Sequence, residues 1–267
     1  MKRIVITIIS SFFFFVGFAQ MYVWQNGEVV GSFATNEIDS VKFVKPQSQI
    51  DTLRYEPTEG GINAQFSVSE NATIFFSKGN LRYNPSTKEW AFASSQTSRV
   101  GTNNSSIAAD YSGWIDLFGW GTSGYNDVMP YLSVQDYTKY ANVPSIAETN
   151  YDWGVYNKIS NGGNEVGLWR TLTADEWMYL FFSRDNADSL FAFGVVNSVK
   201  GLILLPDEWH QPEGIDFFPS TTKGLMVEGK YFWNMASDNY EHNTYTKDQW
   251  AKMEEAGAVF LPAAGYR

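Results

Sequence analysis

Residues 173–182, TADEWMYLFF, constrain the fold more than any other segment because they specify one amphipathic helix with a defined first turn. Thr173 and Glu176 have the spacing of a capping box, in which each side chain accepts a hydrogen bond from the backbone N–H of the other residue. Three apolar residues then fall on one helical face: Trp177, Leu180 and Phe181. The segment therefore predicts a helix whose aromatic face packs into a core.

A second capping box predicts a second helix. Thr246 and Gln249 repeat the spacing, and Trp250 and Met253 form the apolar stripe that follows. Gly257 is expected to end this helix because glycine accepts the left-handed conformation common just after a helix.

The strand signals lie on both sides of the first helix. Apolar and polar residues alternate over 66–93, which predicts a β meander with a turn at 84–87. The strands flanking this turn are expected to pair Leu81 and Tyr83 with Trp90 and Phe92. The apolar runs Gly201–Leu205 and Ala258–Leu261 are typical of buried strands. Strands and helices together predict an α+β domain over residues 62–267.

Residues 1–19 have the pattern of an export signal. Lys2 and Arg3 precede an apolar core, Ile4–Val16, and the small residues Gly17 and Ala19 place the cleavage site after Ala19. The apolar core is too short for a transmembrane helix. We therefore expect an exported chain, located in the periplasm, on the outer surface or outside the cell, whose mature form has no transmembrane segment.

The residues after the signal predict a small β module over 20–46 and a linker over 47–61. The dipeptide Asn26-Gly27 favours a tight hairpin because both residues accept the positive φ of a type I′ turn. Alternation over 38–44 predicts one further strand. The segment 47–61 is polar and contains proline and glycine, which is typical of a connection.

Charge and cysteine content exclude two classes of interaction. The net charge is −10 at pH 7, and removal of Lys2 and Arg3 with the signal makes it −12. A negative surface repels phosphate backbones, so nucleic acid is not an expected partner. The chain has no cysteine, so it has no disulfide bonds.

The region 94–166 is long, polar and rich in aromatic residues, and a long irregular region of this kind is commonly functional. Its rings either stack on a ligand or fill a secondary core beneath the loops. The candidate ligand-binding residues are Trp114, Trp120, Tyr125, Tyr151 and Trp153, with Tyr156 beside them. Oxygen ligands in the same region are weaker candidates for a Ca²⁺ site: Asp110, Asp116, Asn126 and Asp127.

Other patterns associated with enzymes have simpler interpretations here. The glycines of 119–124 match G-x-G-x-x-G, but no helical pattern follows, so a plain glycine turn is favoured over a phosphate-binding loop. His210 and His242 are the only histidines, too few for a zinc site without several carboxylates. We expect no catalytic residues.

Several segments carry a family resemblance. Residues 170–177, RTLTADEW, resemble the R-L-P-T-x-x-E-W segment of formylglycine-generating sulfatase-modifying proteins, which have a C-type-lectin-like fold. A longer set is similar to secreted bacterial domains of the Fibrobacter major paralogous type: FSKGNLRYN (76–84), GWIDLFGWGTSGYN (113–126), NYDWGVYN (150–157), GLILLPDEW (201–209) and AVFLPAAGYR (258–267).

The resemblance implies a C-type-lectin-like domain over 62–267 but no oxidase chemistry. Formylglycine-generating enzymes use a copper-binding cysteine pair, whereas this chain has no cysteine. Thr173, Glu176 and Trp177 therefore match as structural residues. Further strands follow the A-G-Y-R segment in such domains, so the resemblance also implies a domain truncated at its C-terminal end, with open strand edges.

The sequence supports one leading functional hypothesis and two alternatives. The leading hypothesis is an exported, non-catalytic binding or adhesion domain that recognises a glycan or a protein at the cell surface, with Ca²⁺ as a candidate cofactor. The first alternative is an enzyme of the sulfatase-modifying or hydrolase type. The second is a structural component of a surface or pilus-like assembly.

Overall fold

The computed structural model describes residues 20–25, 28–34, 57–106, 108–132, 145–220, 225–227, 230–232 and 240–263. The export signal at 1–19, the strand predicted over 38–44 and residues 47–56 of the predicted linker lie outside these residues. The chain divides into two compact units, Met1–Tyr55 and Glu56–Arg267.

The described part of the first unit is an antiparallel hairpin. Strand β1, Gln20–Gln25, pairs with β2, Glu28–Ala34, and the register shifts between Val23 and Trp24. The hairpin predicted on either side of the Asn-Gly dipeptide is confirmed. Three of its apolar side chains are exposed: Tyr22, Val29 and Phe33.

The second unit mixes short helices with small sheets and is an α+β domain. Its strands are β3 Phe66–Ser69, β4 Ala72–Ile74, β5 Leu81–Asn84, β6 Glu89–Phe92, β7 Phe191–Val196, β8 Val199–Leu204, β9 Leu225–Val227, β10 Lys230–Phe232, β11 Thr244–Tyr245 and β12 Val259–Pro262. Its α-helices are α1 Trp153–Tyr156, α2 Ala174–Phe182 and α3 Lys247–Glu255. Short 3₁₀ turns lie at Gly101–Ser105, Tyr125–Asp127, Ala187–Ser189 and Tyr240–His242.

Both predicted helices begin as the sequence indicates. The Thr173 and Thr246 side chains each accept the N–H three residues on, and Glu176 and Gln249 complete the two capping boxes. Helix α3 ends in a Schellman motif, because the amides after it donate back to carbonyls of its last turn and Gly257 has φ 95°.

The central sheet has the strand order β11-β7-β8-β12. Strand β11 runs parallel to β7, and the other pairs are antiparallel. Successive residues of a strand point to opposite faces. On β8 this places Leu204 in a core with α2, whereas Ile203 contributes to a core with α3. The sheet therefore carries one helix on each face.

The aromatic face of α2 is only partly enclosed. Leu180 and Phe181 are buried, but Trp177 is half-buried. Its ring stacks on that of Phe181 with centroids 5.6 Å apart and also contacts Phe76. The prediction that Trp177 packs against the core is confirmed, although its side chain forms the rim of the core rather than its centre.

The outer edge of β12 is occupied by a side chain. Gln96 is buried, its Nε2 donates to the Ala258 carbonyl at 3.2 Å, and its Oε1 accepts from the Phe260 N–H. Among the described residues, β12 is an end strand of the sheet. The amide of Gln96 therefore takes the place of a neighbouring backbone at this point.

The predicted meander forms two separate hairpins. Strand β3 pairs with β4, and β5 pairs with β6, with Leu81 opposite Phe92 and Tyr83 opposite Trp90. The predicted pairing of these strands is confirmed, but the turn lies at 85–88 rather than 84–87, because Asn84 still pairs with Glu89. The second hairpin supplies a third core, formed by Tyr83, Trp90, Phe92, Ile115 and Ile159. This core lies beneath the long irregular region and supports the candidate site.

Candidate functional site

Helix α1 lies within the long irregular region, and the side chain of Asp152 caps its first turn. Asp152 is completely buried and caps the helix, because its Oδ1 accepts from the Gly154 N–H at 2.9 Å and more weakly from Val155. Its Oδ2 accepts from the Thr171 N–H at 2.7 Å. One carboxylate therefore ties the start of α1 to the segment that leads into α2.

The loop that precedes the 3₁₀ turn at 125–127 is anchored to α1 by side chains. The Asn157 Nδ2 donates to the Ser123 carbonyl at 2.8 Å, and the Trp153 Nε1 donates to the Thr122 Oγ1 at 3.3 Å. Gly121 and Gly124 have positive φ values of 74° and 96°. These glycines form turns, and the element that follows is a 3₁₀ turn of three residues rather than the helix that a phosphate-binding loop requires.

Four of the aromatic residues gather around α1, and we call them the aromatic surface: Trp120, Tyr125, Tyr151 and Tyr156. The Tyr125 ring meets that of Tyr151 at 5.2 Å and that of Tyr156 at 5.5 Å, both edge to face. Trp120 and Tyr156 are exposed, at 47% and 39%. The Asn126 Nδ2 lies 3.4 Å from the Tyr151 hydroxyl, so polar groups adjoin the rings.

The remaining two aromatic candidates occupy other positions. Trp153 packs against the third core beside Phe118, and its ring centroid lies 6.4 Å from that of Trp120. Trp114 is half-buried and lies under the Arg82 guanidinium, 4.2 Å from the ring centroid. Trp114 therefore does not belong to the aromatic surface. Trp153 lies beneath this surface, between Trp120 and the third core.

The four calcium candidates do not share one environment. Asp116 holds the loop at 100–104, since its carboxylate accepts from the Val100 N–H at 2.8 Å and the Asn104 Nδ2 at 2.7 Å. Asp110, Asn126 and Asp127 are exposed. Across the described ranges, no group of three His, Cys, Asp or Glu side chains is placed to hold a metal ion. Calcium binding stays a prediction.

Both histidines lie at the surface, and Glu176 is paired with an arginine. His210 and His242 are both exposed, and the His210 Nδ1 lies 3.1 Å from the Glu208 carbonyl. Glu176 forms a bidentate pair with Arg170 at 2.5 and 2.7 Å. That hydrogen bond lowers the pKa of the Glu176 carboxyl and raises the pKa of Arg170.

A cleft of about 350 Å³ opens between the third core and the segment before α2. We call it the aromatic cleft because six aromatic residues line it: Phe75, Phe76, Phe92, Phe118, Trp153 and Trp169. Its charged lining residues are Asp116, Asp152 and Arg170. This volume lies in the range of small-molecule sites, which combine apolar walls with a few polar groups.

Sequence reasoning did not single out this cleft or Asp152. Asp152 precedes a short apolar stretch, which is the local signal of a helix cap. The cleft itself has no local signal, because its residues come from segments between 74 and 172 that meet only in the fold.

Comparisons with known proteins do not extend this description: no protein-family model, no curated protein and no solved structure matches the chain. Among the described residues, no helix combines the length and the apolar character needed to cross a bilayer.

Proposed function

We propose that this chain is an exported, non-catalytic domain that binds a glycan at the cell surface through the aromatic surface. The observation that carries the proposal is the exposure of Trp120 and Tyr156 around a helix whose position is fixed by the buried Asp152. Rigidly held rings supply contact area at little entropic cost, and their faces match the C–H faces of sugar rings.

Polar groups beside the rings support the choice of a glycan as ligand. Asn126 and Asp127 are exposed next to Tyr125 in the chain, and the Tyr151 hydroxyl lies within reach of the Asn126 amide. Sugar hydroxyls need donors and acceptors at the edge of a stacking ring, and these side chains offer both. A binding surface of this kind needs no catalytic group.

The remaining parts of the proposal rest on the sequence. The signal pattern over 1–19 supports export. The family resemblance supports a C-type-lectin-like arrangement of the α+β domain. The shared motifs include GWIDLFGWGTSGYN and NYDWGVYN, which contain all four residues of the aromatic surface.

A glycan array tests the proposal with the wild-type chain and three variants. Trp120→Ala and Tyr156→Ala should each weaken binding to the same glycans by about tenfold or more, the scale at which central aromatic contacts contribute to interfaces. Phe218→Ala is the matched control, because Phe218 is 53% exposed on the same unit and lies outside the aromatic surface.

The outcomes are separable. Absence of binding to any glycan overturns the proposal, as does an equal loss in the Phe218→Ala control. Capture of a surface protein that depends on Trp120 and Tyr156, without glycan binding, would assign the surface to a protein partner instead. Repeating the array with Ca²⁺ and with a chelator tests the calcium prediction, because only a metal-dependent site loses binding under chelation.

A further inference from the structure

The aromatic cleft differs from the aromatic surface in shape and in charge. Four of its wall rings belong to the third core or pack against it, and two of these, Phe92 and Trp169, have centroids 4.7 Å apart. Trp169 is also fixed through its Nε1, which donates to the Gly162 carbonyl at 2.8 Å. The cleft is therefore a formed concavity with fixed aromatic walls.

The charge of the cleft is negative. Arg170 is its cationic lining residue, and Glu176 already neutralises it through two hydrogen bonds. Asp116 and Asp152 accept hydrogen bonds from backbone amides and from the Asn104 amide, all of which are neutral donors. Within the described part of the chain, neither of these carboxylates forms an ion pair. Asp152 also attracts the Arg170 guanidinium electrostatically. Asp116, Asp152 and Glu176 outnumber this one guanidinium, so the wall keeps a net negative charge.

Aromatic faces and negative charge together attract cations. A cation over a ring face is stabilised by the ring quadrupole, most strongly by tryptophan. The carboxylates add a Coulombic attraction that is stronger in a partly enclosed cleft than in water. The cleft therefore favours a cation over a neutral molecule of the same shape.

The hydrogen-bonding state of the cleft selects the type of cation. A primary ammonium has three donors that need acceptors when it leaves water. The Asp116 and Asp152 oxygens already accept from Val100, Asn104, Gly154 and Thr171. Three of these four oxygens accept a single hydrogen bond and keep a second lone pair, so a primary ammonium would compete for what is left. A quaternary ammonium has no N–H and therefore brings no donor that must be satisfied in the cleft.

We propose that the aromatic cleft is a binding site for a quaternary ammonium group, separate from the glycan-binding surface. The ring faces contact the methyl groups, and Asp116, which is half-buried at the wall, and Asp152, which is buried behind it, provide the balancing charge. A volume of about 350 Å³ accommodates such a head group with a short alkyl chain.

Titration calorimetry of the full chain tests this with three probes that share a hydroxyethyl group. Choline carries the quaternary ammonium, 3,3-dimethylbutan-1-ol replaces its nitrogen with carbon, and ethanolamine carries a primary ammonium. Choline should bind at least about tenfold more tightly than the neutral isostere, as expected for a cation held by several rings. It should also bind more tightly than ethanolamine. Equal affinity for choline and the isostere, or no binding of choline, overturns the proposal.

Variants locate the site. Phe118→Leu and Asp116→Asn should each weaken choline binding several-fold, whereas Asp188→Asn, a change at an exposed carboxylate outside the cleft, should not. A change in choline affinity in Asp188→Asn equal to that in Asp116→Asn would show only a general charge effect. Because the probe comparison uses the wild-type chain, the proposal stays testable if either variant fails to fold. A negative glycan array leaves this test unaffected.

Discussion

Removal of the Asp152 carboxylate should destabilise the second unit more than most surface changes. In Asp152→Ala, the Gly154 and Thr171 N–H groups lose acceptors at 2.9 and 2.7 Å. A buried donor left without a partner costs about 1–3 kcal/mol, so two cost about 4 kcal/mol. Relief from burying a charge offsets part of this, and we expect a net loss of about 3 kcal/mol. For a domain of this size the melting temperature should fall by roughly 6–12 °C.

Urea unfolding followed by tryptophan fluorescence measures this loss, with Asp152→Asn and Asp188→Ala for comparison. The asparagine retains one acceptor oxygen and should lose about half as much stability as the alanine variant. Asp188 is exposed, and its replacement should change stability by less than about 0.5 kcal/mol. A loss below about 1 kcal/mol in Asp152→Ala, with an unchanged slope against urea, would refute the view that this carboxylate joins α1 to the segment before α2.

Three further changes test separate features. Glu176→Gln keeps a capping acceptor but removes the ion pair with Arg170, which holds the pKa of Glu176 below its ordinary value. The ion pair should stabilise the wild type fully above about pH 4.3, and this contribution should vanish as the pH falls through the lowered pKa of Glu176. If urea unfolding shows a difference between variant and wild type that is constant from pH 7 to pH 3, the ion pair is not its source. Gly79→Ala places a Cβ 2.1 Å from the Ala93 carbonyl oxygen and should cost about 2–3 kcal/mol; an unchanged melting temperature would exclude this close approach. Tyr83 has a buried hydroxyl with no hydrogen-bond partner among the described residues, and burial raises its pKa to about 12. Tyr83→Phe should therefore leave stability unchanged or raise it by up to about 1 kcal/mol, whereas a clear loss on thermal unfolding would show that the hydroxyl has a partner.

The elements that the sequence predicted are those specified by neighbouring residues. A capping box needs only residues three apart, and both boxes formed at Thr173 and Thr246. A hairpin needs only one turn and two alternating strands, and β5 and β6 form the predicted hairpin. These local preferences agree with the tertiary packing, so the predicted helices and hairpin form in the folded chain.

The elements that were missed depend on distant partners. Strand β7 is a continuous apolar run, FAFGVV, whose strand identity comes from its position between β8 and β11. Strand β11 has two residues and exists only because β7 lies beside it. A two-residue strand carries no pattern for the sequence to show, whereas β7 has the same kind of apolar run that predicted a strand at Gly201–Leu205.

The candidate site illustrates the same limit. Composition and order along the chain place Trp120, Trp153 and Trp114 in one class, but their exposed fractions and neighbours differ in the fold. Which ring faces solvent depends on how the 119–124 turns are anchored to α1, and that anchoring uses Asn157 and Thr122, neither of which is distinctive by residue type.

The Gln96 side chain has a consequence for how copies of this chain meet one another. A primary amide can place an N–H and a C=O side by side as a peptide group does, so the Phe260 N–H and the Ala258 carbonyl are satisfied within the molecule. A strand from another molecule would have to expel a buried side chain before it could add to this border of the sheet. One glutamine thereby opposes the addition of an outside strand at Ala258 and Phe260.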